Sequence, residues 1–365
     1  MRVVVAPDSF GGTLSAVEAA AALADGWREA APSAELDVVP MSDGGPGFVD
    51  VLASALGVPP RVVDTVDPLR RPVRAGVLVA GGVGYVESAA AAGLHLLADD
   101  ERDPRLTTTY GAGQLVLAVA PEADRIVIGL GGSGTNDGGA GLWAALGAEP
   151  AELLAGGGGR LADLGDLHRP GQTDLPPLVA ATDVDNPLLG PNGASAVFGP
   201  QKGADRAAVL DLDDALRVWA DRVEAVTGRP GLRDAPGAGA AGGLGFGLLA
   251  LGAERASGFG VVADAVALAD RVAAADLVVT GEGAFDATSL RGKVVAGVAA
   301  LAQQHGVPCV VVAGQVAVGR RDAAAAGVEA AYAVADTAGS VAAAIEGGAV
   351  AVRETARKVA AMWSR

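Results

Sequence analysis

Residues 276–314, DLVVTGEGAFDATSLRGKVVAGVAALAQQHGVPCVVVAG, decide the fold class of this chain. Two short apolar runs rich in valine, in DLVVTGEG (276–283) and VPCVVVAG (307–314), predict buried strands. The alanine-rich segment GKVVAGVAALAQQHG (292–306) between them predicts an amphipathic helix. A strand, a helix and a second strand in this order are typical of a βαβ unit, whose two strands run parallel.

The same alternation continues toward both ends of the chain. RVVVA (2–6) and ELDVVP (35–40) predict strands on either side of the helical segment LSAVEAAAALADGWREAAP (14–32). Ser15 and Glu18 have the spacing of a capping box, although Thr13 is an equally good N-cap. After residue 314 we expect a helix at RRDAAAAG (320–327), a strand at EAAYAVAD (329–336) and a long closing helix over residues 341–363.

The middle of the chain has a different pattern. It contains glycine- and proline-rich stretches, such as AGGGGRLADLGDLHRPGQTDLPP (155–177), and one acidic helical segment over residues 204–226. We therefore expect an α/β fold of two α/β domains. Residues 1–75 and 268–365 form a doubly wound parallel-sheet domain, and residues 76–267 form a second, inserted α/β domain. The cleft between two such domains is the expected ligand site.

The composition excludes several classes of protein. Half of the 365 residues are hydrophobic and the net charge is −16, so we expect a large packed core and no nucleic-acid partner. The N-terminus lacks the apolar region of a signal peptide, and the uncharged stretch 235–253 contains a proline and seven glycines. A cytoplasmic protein without a membrane span is expected. Cys309, the only cysteine, predicts a buried thiol and no disulfide within the chain.

Glycine makes up 54 of the 365 residues and is frequent in polar loops after the predicted strands. These loops are APDSFGGT (6–13), PMSDGGPGF (40–48), GLGGSGTNDGG (129–139), ATDVDNPLLGPNGA (181–194) and TGEGAFDATSLRGK (280–293). Bare backbone N–H groups suit phosphate oxygens, and carboxylate or amide oxygens suit Mg²⁺; phosphoryl transfer needs both. Ordinary turn chemistry explains any single loop, but five such loops in one chain favour a phosphate site.

The loop at residues 129–139 has glycines on both sides of Asn136 and Asp137. One interpretation is that phosphate or substrate reaches the backbone there and that these two side chains orient it. The alternative is a tight turn in which both side chains bond to nearby backbone. The glycines also match G-x-G-x-x-G, but no helix begins inside the motif, which argues against a dinucleotide site. The P-loop pattern G-x-x-x-x-G-K-[ST] is absent from the sequence.

Lysine is rare, since the 27 basic residues include only Lys202, Lys293 and Lys358. The first two lie inside the glycine motifs GPQKGA and SLRGK. This position favours a compact charge facing phosphate over an ordinary solvated surface lysine. The three histidines share no metal-ligand spacing, so a zinc site is not expected.

Together these motifs resemble the bacterial glycerate kinase family, which phosphorylates glycerate with ATP. The resemblance covers nearly the whole chain and is carried, in the family's order, by VVVAPDSFGGTLSAVEAA, PMSDGGPGF, DPLRRPV, RDPRLTTTYGAGQL, GLGGSGTNDGGAG, DVDNPLLGPNGASAVFGPQKGA, PGAGAAGGLGFGL and VVTGEGAFDATSLRGKVVAGVA. It implies a flavodoxin-like domain with a second α/β domain inserted. It also implies ATP and Mg²⁺ as cofactors and a hydroxyl group of glycerate as acceptor, giving 2- or 3-phosphoglycerate. A homodimer is a further expectation.

The resemblance and the loop chemistry together lead to a set of expected site residues. In the DVD motif the two aspartates point to opposite sides if extended, so one of them, with Asn186, is expected to bind metal or to accept the alcohol proton. The expected catalytic residues are Asp183, Asp185, Lys202 and Lys293. The expected substrate- and phosphate-binding residues are Asp8, Ser9, Asp43, Arg70, Arg71, Gly131, Gly132, Ser133, Asn136, Asp137, Asn186 and Arg291. The expected metal ligands are Asp185, Glu282 and Asp286.

Three positions depart from the family's pattern, and each departure removes a charge. Gly11 stands where the pattern has lysine, Pro46 where it has glutamate, and Ala284 where it has arginine. Loss of groups that steady a transferring phosphate weakens transition-state stabilisation. The alternatives are therefore a kinase for another small hydroxy acid, a slow kinase, or a nucleotide- or sugar-acid-binding protein without catalysis. A dinucleotide-dependent oxidoreductase is the rival from another class.

Overall fold

The computed structural model describes residues 1–171, 175–290 and 294–364. The chain divides into two compact units. Unit 1 consists of Met1–Asp43, Asp50–Gly57 and Phe259–Arg365, and unit 2 of Gly44–Val49 and Val58–Gly258. Residues 44–49 and 58–75, expected in the discontinuous domain, thus lie in unit 2, and residues 259–267, expected in the inserted domain, lie in unit 1.

The strands of both units are numbered along the chain. In the described residues they are β1 (Arg2–Val5), β2 (Glu35–Val38), β3 (Arg61–Val66), β4 (Pro72–Ala80), β5 (Val83–Glu87), β6 (Arg125–Gly129), β7 (Leu178–Ala181), β8 (Glu254–Ala256), β9 (Leu277–Phe285), β10 (Cys309–Val316) and β11 (Ala330–Ala333).

The α-helices are numbered in the same way. In the described residues they are α1 (Ala16–Ala30), α2 (Phe48–Leu56), α3 (Ala89–Ala92), α4 (Tyr110–Val119), α5 (Ala140–Ala145), α6 (Ala151–Leu154), α7 (Ala194–Phe198), α8 (Arg206–Thr227), α9 (Ala240–Ala250), α10 (Gly258–Ala265), α11 (Leu268–Ala273), α12 (Val294–Gln304), α13 (Arg320–Ala325), α14 (Val334–Ala338) and α15 (Val341–Trp363).

Unit 1 is built on a five-stranded sheet with the order β11-β10-β9-β1-β2, and all of its strand pairs are parallel. When the strands of unit 1 are numbered by themselves, this is the order 2-1-3-4-5 of flavodoxin-like doubly wound sheets. Val3, Val4 and Val5 are completely buried, as is typical of a parallel strand covered on both faces. The strand order reverses between β1 and β9, which is where such sheets bind ligands.

Unit 2 is built on a six-stranded mixed sheet with the order β3-β4-β5-β6-β7-β8. Strands β5 to β8 pair in parallel, whereas β3, β4 and β5 pair antiparallel. Residues 67–71 between β3 and β4 are too few for a helical crossover, so these strands form a hairpin. This hairpin was not predicted from the sequence. Both units combine a β-sheet with packed helices, so the predicted α/β fold class is confirmed.

Several local predictions are confirmed in detail. Ser15, and not Thr13, is the N-cap of α1; its Oγ accepts the N–H of Glu18 at 3.2 Å, and the Glu18 carboxylate accepts the N–H of Ser15 at 2.9 Å. Cys309 begins β10 and is completely buried, and burial raises the pKa of its thiol to about 12. Among the described residues, no helix has both the length and the hydropathy needed to cross a membrane.

Gly26 lies where α1 packs against α15. A Cβ at this position would collide with the carbonyl oxygen of Arg353 and lie 2.9 Å from the Cβ of Ala356. Alanine usually stabilises a helix by roughly 0.5–1 kcal/mol relative to glycine, but overpacking of this kind costs about 1–3 kcal/mol. Gly26→Ala is therefore expected to lower the free energy of unfolding by about 1–2 kcal/mol in urea unfolding. Gly165→Ala, whose added Cβ meets no atom within 4 Å, is the control, and equal stabilities of the two variants would contradict the packing argument.

Candidate functional site

A polar glycine-rich segment follows β6 at the carboxyl edge of the parallel part of the unit 2 sheet; we call residues 130–139 the glycine loop. Its backbone is tied to neighbouring segments, because the N–H of Leu130 donates to the Ala181 carbonyl at 3.0 Å and that of Gly134 to the Ala92 carbonyl at 2.8 Å. Strands β5 and β7 lie on either side of β6. The residues that follow these three strands therefore gather at one edge of the sheet.

Asp137 is completely buried in the second half of the glycine loop. Its carboxylate accepts the N–H and the hydroxyl of Thr109 at 2.7 and 2.9 Å, and the N–H groups of Gly139 and Gly141, each at 3.1 Å. Burial raises the pKa of Asp137 more than these hydrogen bonds lower it. The donors all belong to the protein, so the geometry favours a role in holding the turn. Direct contact of Asp137 with a substrate stays a prediction.

Asn136 and Ser195 form a second buried contact of the glycine loop. Both side chains are completely buried, and Asn136 Nδ2 donates to Ser195 Oγ at 2.9 Å. In the described part of the chain, Asn136 Oδ1 and Thr135 Oγ1 are buried without a hydrogen-bond partner. Buried polar atoms without partners are costly. Each of the two atoms therefore adds a desolvation cost to the folded state.

Changing Asn136 to alanine is expected to lower the free energy of unfolding by about 1–2 kcal/mol. The substitution removes the donor to Ser195 Oγ, leaves that hydroxyl buried and opens a small cavity. Urea unfolding followed by tryptophan fluorescence measures the effect. Ser195→Ala, which removes the other end of the same contact, is the matched comparison. If Asn136→Ala unfolds at the same urea concentration as the wild type, the contact contributes no stability.

Lys202 connects the glycine loop to residues 200–202, a turn of 3-10 helix. Only 1% of the residue is exposed, and its Nζ donates to Ser133 Oγ at 2.8 Å and to the Thr135 carbonyl at 2.7 Å. Burial lowers the pKa of Lys202 to about 7, and the charge of Asp137 partly opposes this. The interpretation of Lys202 as a solvated surface lysine is therefore wrong, and the reason is that its ammonium group is held by two acceptors inside unit 2.

The first half of the glycine loop presents hydrogen-bond donors. Within the described residues, the backbone N–H groups of Gly131, Gly132 and Ser133 donate to no protein acceptor, and Gly132 is exposed. Consecutive donors of this kind at the carboxyl end of a strand favour an anion, such as a phosphate or carboxylate group. The three residues fit the phosphate-binding part of the predicted site.

The glycines around Asn136 and Asp137 are required by the protein's own packing. A Cβ at Gly138 would lie 2.5 Å from Cδ1 of Trp219, and one at Gly134 would lie 3.0 Å from Cα of Leu94. Protein atoms therefore fill the space beside the pair. The expectation that these two glycines make room for a ligand is wrong, because what lies close to them is another part of the chain.

Glu87, at the end of β5, was missed by the sequence analysis. It is 8% exposed, stands opposite Gly129 in the register of β5 and β6, and accepts the N–H of Gly47 at 2.9 Å through Oε2. The segment that contains Gly47 also contacts the glycine loop, since a Cβ at Gly132 would lie 2.6 Å from Cγ of Pro46. The sequence signal that could have found Glu87 is an acidic residue at the end of an apolar strand, since a carboxylate there is buried only with partners.

The DVD motif follows β7, and its two aspartates have different surroundings. Asp183 is partly buried, and its Oδ1 accepts the N–H of Gly258 at 3.2 Å. Asp185 is exposed and forms an ion pair with Arg255 at 2.5 Å. Asn186 donates to a backbone carbonyl within its own loop at 2.8 Å. Asp183 is thus the more enclosed of the two carboxylates.

Arg70 and Arg71 lie in the turn between β3 and β4, where protein carboxylates bind both of them. Arg70 pairs with Glu152 at 2.9 Å, and Arg71 pairs with Asp67 at 2.6 Å and with Glu101 at 2.5 Å. A substrate carboxylate would have to compete with these partners. Recognition of the substrate by either arginine stays a prediction.

Four expected residues lie at the switch point of the unit 1 sheet, after or at the ends of β1 and β9: Asp8, Ser9, Glu282 and Asp286. The loop after β1 adjoins β9, since the N–H of Asp8 donates to the Gly281 carbonyl at 2.8 Å. The carboxylate of Asp286 accepts the N–H and the hydroxyl of Thr288, each at 2.7 Å. Hard carboxylate oxygens thus occupy the place where this sheet order binds ligands.

The remaining expected site residues do not form one group in the structure. Asp43 is partly buried at the end of the first segment of unit 1. Arg291 and Lys293 lie outside the described residues. Of the expected metal ligands, Asp185 belongs to unit 2, whereas Glu282 and Asp286 belong to unit 1. Within the ranges that the structure describes, no three His, Cys, Asp or Glu side chains are grouped so that they could hold a metal ion.

The three positions that depart from the family's pattern are all exposed: Gly11, Pro46 and Ala284. Gly11 has a left-handed backbone with a φ of 46°. Its segment adjoins Gly283, where a Cβ would lie 2.9 Å from the backbone nitrogen of Gly11. Two of the three lost charges therefore belong to adjoining segments of unit 1.

The chain is similar to known proteins over its full length. The glycerate kinase family model matches residues 3–364. A protein of Bacillus subtilis (strain 168) named glycerate kinase is 41% identical, over 99% of this chain and 97% of the relative. A protein of Escherichia coli (strain K12) named glycerate 2-kinase is 42% identical, over 86% of this chain and 85% of the relative. A crystal structure from Salmonella typhimurium LT2, described as a "putative glycerate kinase 2", has a TM-score of 0.81 at 36% identity, covering 100% of this chain and 98% of the other.

Proposed function

Because this chain belongs to the glycerate kinase family, we propose that it transfers the γ-phosphoryl group of ATP to a hydroxyl group of glycerate, giving 2- or 3-phosphoglycerate. The structural observation that carries the proposal is the donor side of the glycine loop. Three backbone N–H groups and the Ser133 hydroxyl lie there beside a buried lysine. An anionic substrate and an anionic nucleotide both need such donors.

The glycine loop is proposed to hold anionic oxygen atoms through the N–H groups of Gly131, Gly132 and Ser133. The hydrogen bonds of Leu130 and Gly134 tie the loop down at both ends of this segment. Donors that are fixed before the reaction stabilise developing charge without reorganisation during it. Their contribution is therefore to orientation and to transition-state charge.

Asp183 is proposed to accept the proton of the attacking hydroxyl group. The N–H of Gly258 orients its carboxylate at 3.2 Å, and the residue is only partly exposed. Asp185 is less suited, because Arg255 binds its carboxylate at 2.5 Å. In kinases an aspartate beside the nucleophile orients the hydroxyl group and accepts its proton.

Mg²⁺ is proposed to bind together with the nucleotide and to neutralise its phosphate oxygens. In such complexes the ion takes one or two protein carboxylates and completes its coordination with water and phosphate oxygens. Glu282 and Asp286 carry hard carboxylate oxygens at the end of β9 and fit this need. Asp185 fits only if its ion pair with Arg255 opens.

Phosphorus NMR of the purified protein with ATP, Mg²⁺ and D-glycerate tests the proposed reaction. A new phosphomonoester signal is expected, and its coupling to carbon-bound protons distinguishes the 2-phosphate from the 3-phosphate. A sample without glycerate controls for hydrolysis of ATP. Intact ATP in the complete mixture, with a control kinase active in the same buffer, would contradict the proposal.

A weakened kinase, or a kinase for another small hydroxy acid, is the second candidate. It is favoured by the loss of two charges on adjoining segments, at Gly11 and Ala284. If the lost charges limit the reaction with glycerate, Ala284→Arg is expected to raise kcat/KM, while Ala287→Arg on the same exposed segment leaves it unchanged. Binding of ATP without turnover in every variant would instead favour a non-catalytic protein.

Three further features stay predictions: a reaction in a cleft between two domains, a homodimer and a cytoplasmic location. Sedimentation of the purified protein tests the homodimer.

A further inference from the structure

In the hydrogen bond between Lys202 and Ser133, lysine is the donor and serine the acceptor. The Nζ–Oγ distance is 2.8 Å, and the same ammonium group reaches the Thr135 carbonyl at 2.7 Å. In its protonated form, below the pKa of about 7, the Lys202 side chain has three donors and no acceptor. Ser133 Oγ therefore accepts this hydrogen bond, and the hydroxyl hydrogen of Ser133 is left to donate elsewhere.

Lys202 is buried too deeply for direct contact with a ligand. Lys202 is 1% exposed, whereas Ser133 is 6% exposed and Gly132 beside it is exposed. Ser133 thus contacts the ammonium group through its Oγ, and its N–H is one of the three backbone donors of the glycine loop that have no acceptor among the described residues. Buried charged side chains are kept where hydrogen bonds satisfy them, and Lys202 has two such bonds inside unit 2.

We propose that Lys202 is a positioning residue that acts through Ser133. It occupies the acceptor side of the Ser133 oxygen, so that the Ser133 hydroxyl group donates to an anionic oxygen of the phosphate-bearing ligand. Lys202 itself does not touch that ligand. The hydrogen bond to the Thr135 carbonyl fixes the next turn of the loop in the same orientation. This assignment deepens the proposed kinase function and rests on it, and it gives Lys202 a role different from direct neutralisation of phosphate.

A double-mutant cycle tests the assignment. Steady-state kinetics with ATP, Mg²⁺ and D-glycerate are measured at pH 6, where Lys202 keeps its proton, for the wild type, Ser133→Ala, Lys202→Met and the double variant. Each single change is expected to lower kcat/KM by about 10- to 100-fold, the range for a hydrogen bond to a charged group. The double variant is expected to be about as active as the weaker single variant. Effects that multiply would overturn the assignment, because they would mean that Lys202 and Ser133 contact the ligand independently.

A conservative variant separates hydrogen bonding from charge. Lys202→Gln keeps donors for Ser133 and Thr135 but has no charge. Its kcat/KM is expected to be at least about tenfold higher than that of Lys202→Met, because one hydrogen bond to a charged group contributes about this factor. Equal losses in both variants would support direct charge neutralisation and overturn the positioning role. Lys358→Met, an exposed lysine of α15, is the matched control and is expected to have wild-type kinetics.

Calorimetric titration with ATP and Mg²⁺ distinguishes failure of this inference from failure of the proposed function. If the wild type binds ATP but transfers no phosphate to glycerate, the proposed reaction fails. The double-mutant cycle is then repeated with the dissociation constant of ATP as the measured quantity. If the double variant binds ATP about as weakly as the weaker single variant, the positioning role is supported. If the two single effects on the dissociation constant multiply, the positioning role is overturned. Absence of ATP binding by the wild type overturns both. If Lys202→Met does not fold, Lys202→Gln is compared with the wild type instead: a loss of kcat/KM smaller than about tenfold supports the positioning role, and a larger loss overturns it.

Discussion

Replacement of Asp137 by alanine is expected to lower the free energy of unfolding by about 3–5 kcal/mol. The carboxylate is completely buried and accepts five hydrogen bonds of 2.7–3.3 Å from Thr108, Thr109, Gly139 and Gly141. Alanine leaves these donors in the protein interior without an acceptor, and each unsatisfied buried group costs about 1–3 kcal/mol. Partial relaxation of the loop keeps the total below the simple sum.

Urea unfolding followed by tryptophan fluorescence measures this loss, and two of the four tryptophans, Trp143 and Trp219, lie in unit 2 with ring centroids 5.3 Å apart. Asp137→Asn is expected to cost less than alanine, because the amide oxygen still accepts part of the hydrogen bonds. Asp100→Ala, which removes an exposed carboxylate from the same unit, is the control for net charge. A midpoint of Asp137→Ala within error of this control would show that the carboxylate does not hold the turn.

The second large effect expected is a pH dependence of stability that originates at Lys202. Its ordinary pKa is 10.5, and burial lowers it to about 7 in the folded protein, with Asp137 as the charged group that opposes the shift. Between these two pH values the unfolded chain binds a proton that the folded protein has lost. The free energy of unfolding therefore rises with pH in this window and loses that contribution as the pH falls toward 7. From pH 7 to pH 9 the expected gain is about 2 kcal/mol, at roughly 1.4 kcal/mol for each pKa unit.

The measurement compares the wild type with Lys202→Met at pH 7, 8 and 9. The difference between their free energies of unfolding is expected to change by about 2 kcal/mol over this range, with the wild type gaining. Lys358→Met is expected to follow the wild type. The range ends at pH 9 because burial raises the pKa of Cys309 from 9.0 to about 12, which lowers stability at higher pH by the same linkage.

Lysine-selective ¹³C NMR gives an independent reading of the same group. The chain contains three lysines, so labelled lysine yields three side-chain signals, and Lys202→Met identifies one of them. That signal is expected to titrate near pH 7. Parallel stability curves for the wild type and Lys202→Met, together with a Lys202 signal that titrates above pH 10, would contradict the burial argument.

Much of unit 1 could be predicted from local sequence patterns. Valine-rich runs at RVVVA and VPCVVVAG became β1 and β10, and the capping-box spacing of Ser15 and Glu18 became the start of α1. Such features depend on residues within a few positions of each other. The hairpin of β3 and β4 was not predicted, because it depends on pairing with a partner strand and on Asp67, whose Oδ1 accepts the N–H groups of Leu69 and Arg71 at 2.8 and 2.9 Å.

The candidate site also contains features that could be predicted from local sequence and features that could not. The glycine loop and Lys202 were recognised from their residue types, and the glycines were correctly tied to close approach, but the group that approaches them was not. Trp219 contacts the position of Gly138 across 81 residues of sequence, and Glu87 reaches the N–H of Gly47 across 40 residues. No local pattern indicates such partners, because they depend on how distant elements pack.

The sequence by itself determined the α/β class, the order of the strands in unit 1 and the family, because hydrophobic periodicity and motif order are properties of the linear sequence. Only the tertiary structure decided that Lys202 points inward to Ser133, 69 residues away. The same holds for the hydrogen bonds of Asp137 with Thr108 and Thr109, the residues that precede α4. The physical reason is that burial selects partners for polar groups across the whole fold. A lysine in a glycine motif therefore acquires its pKa and its role only when the chain has packed around it.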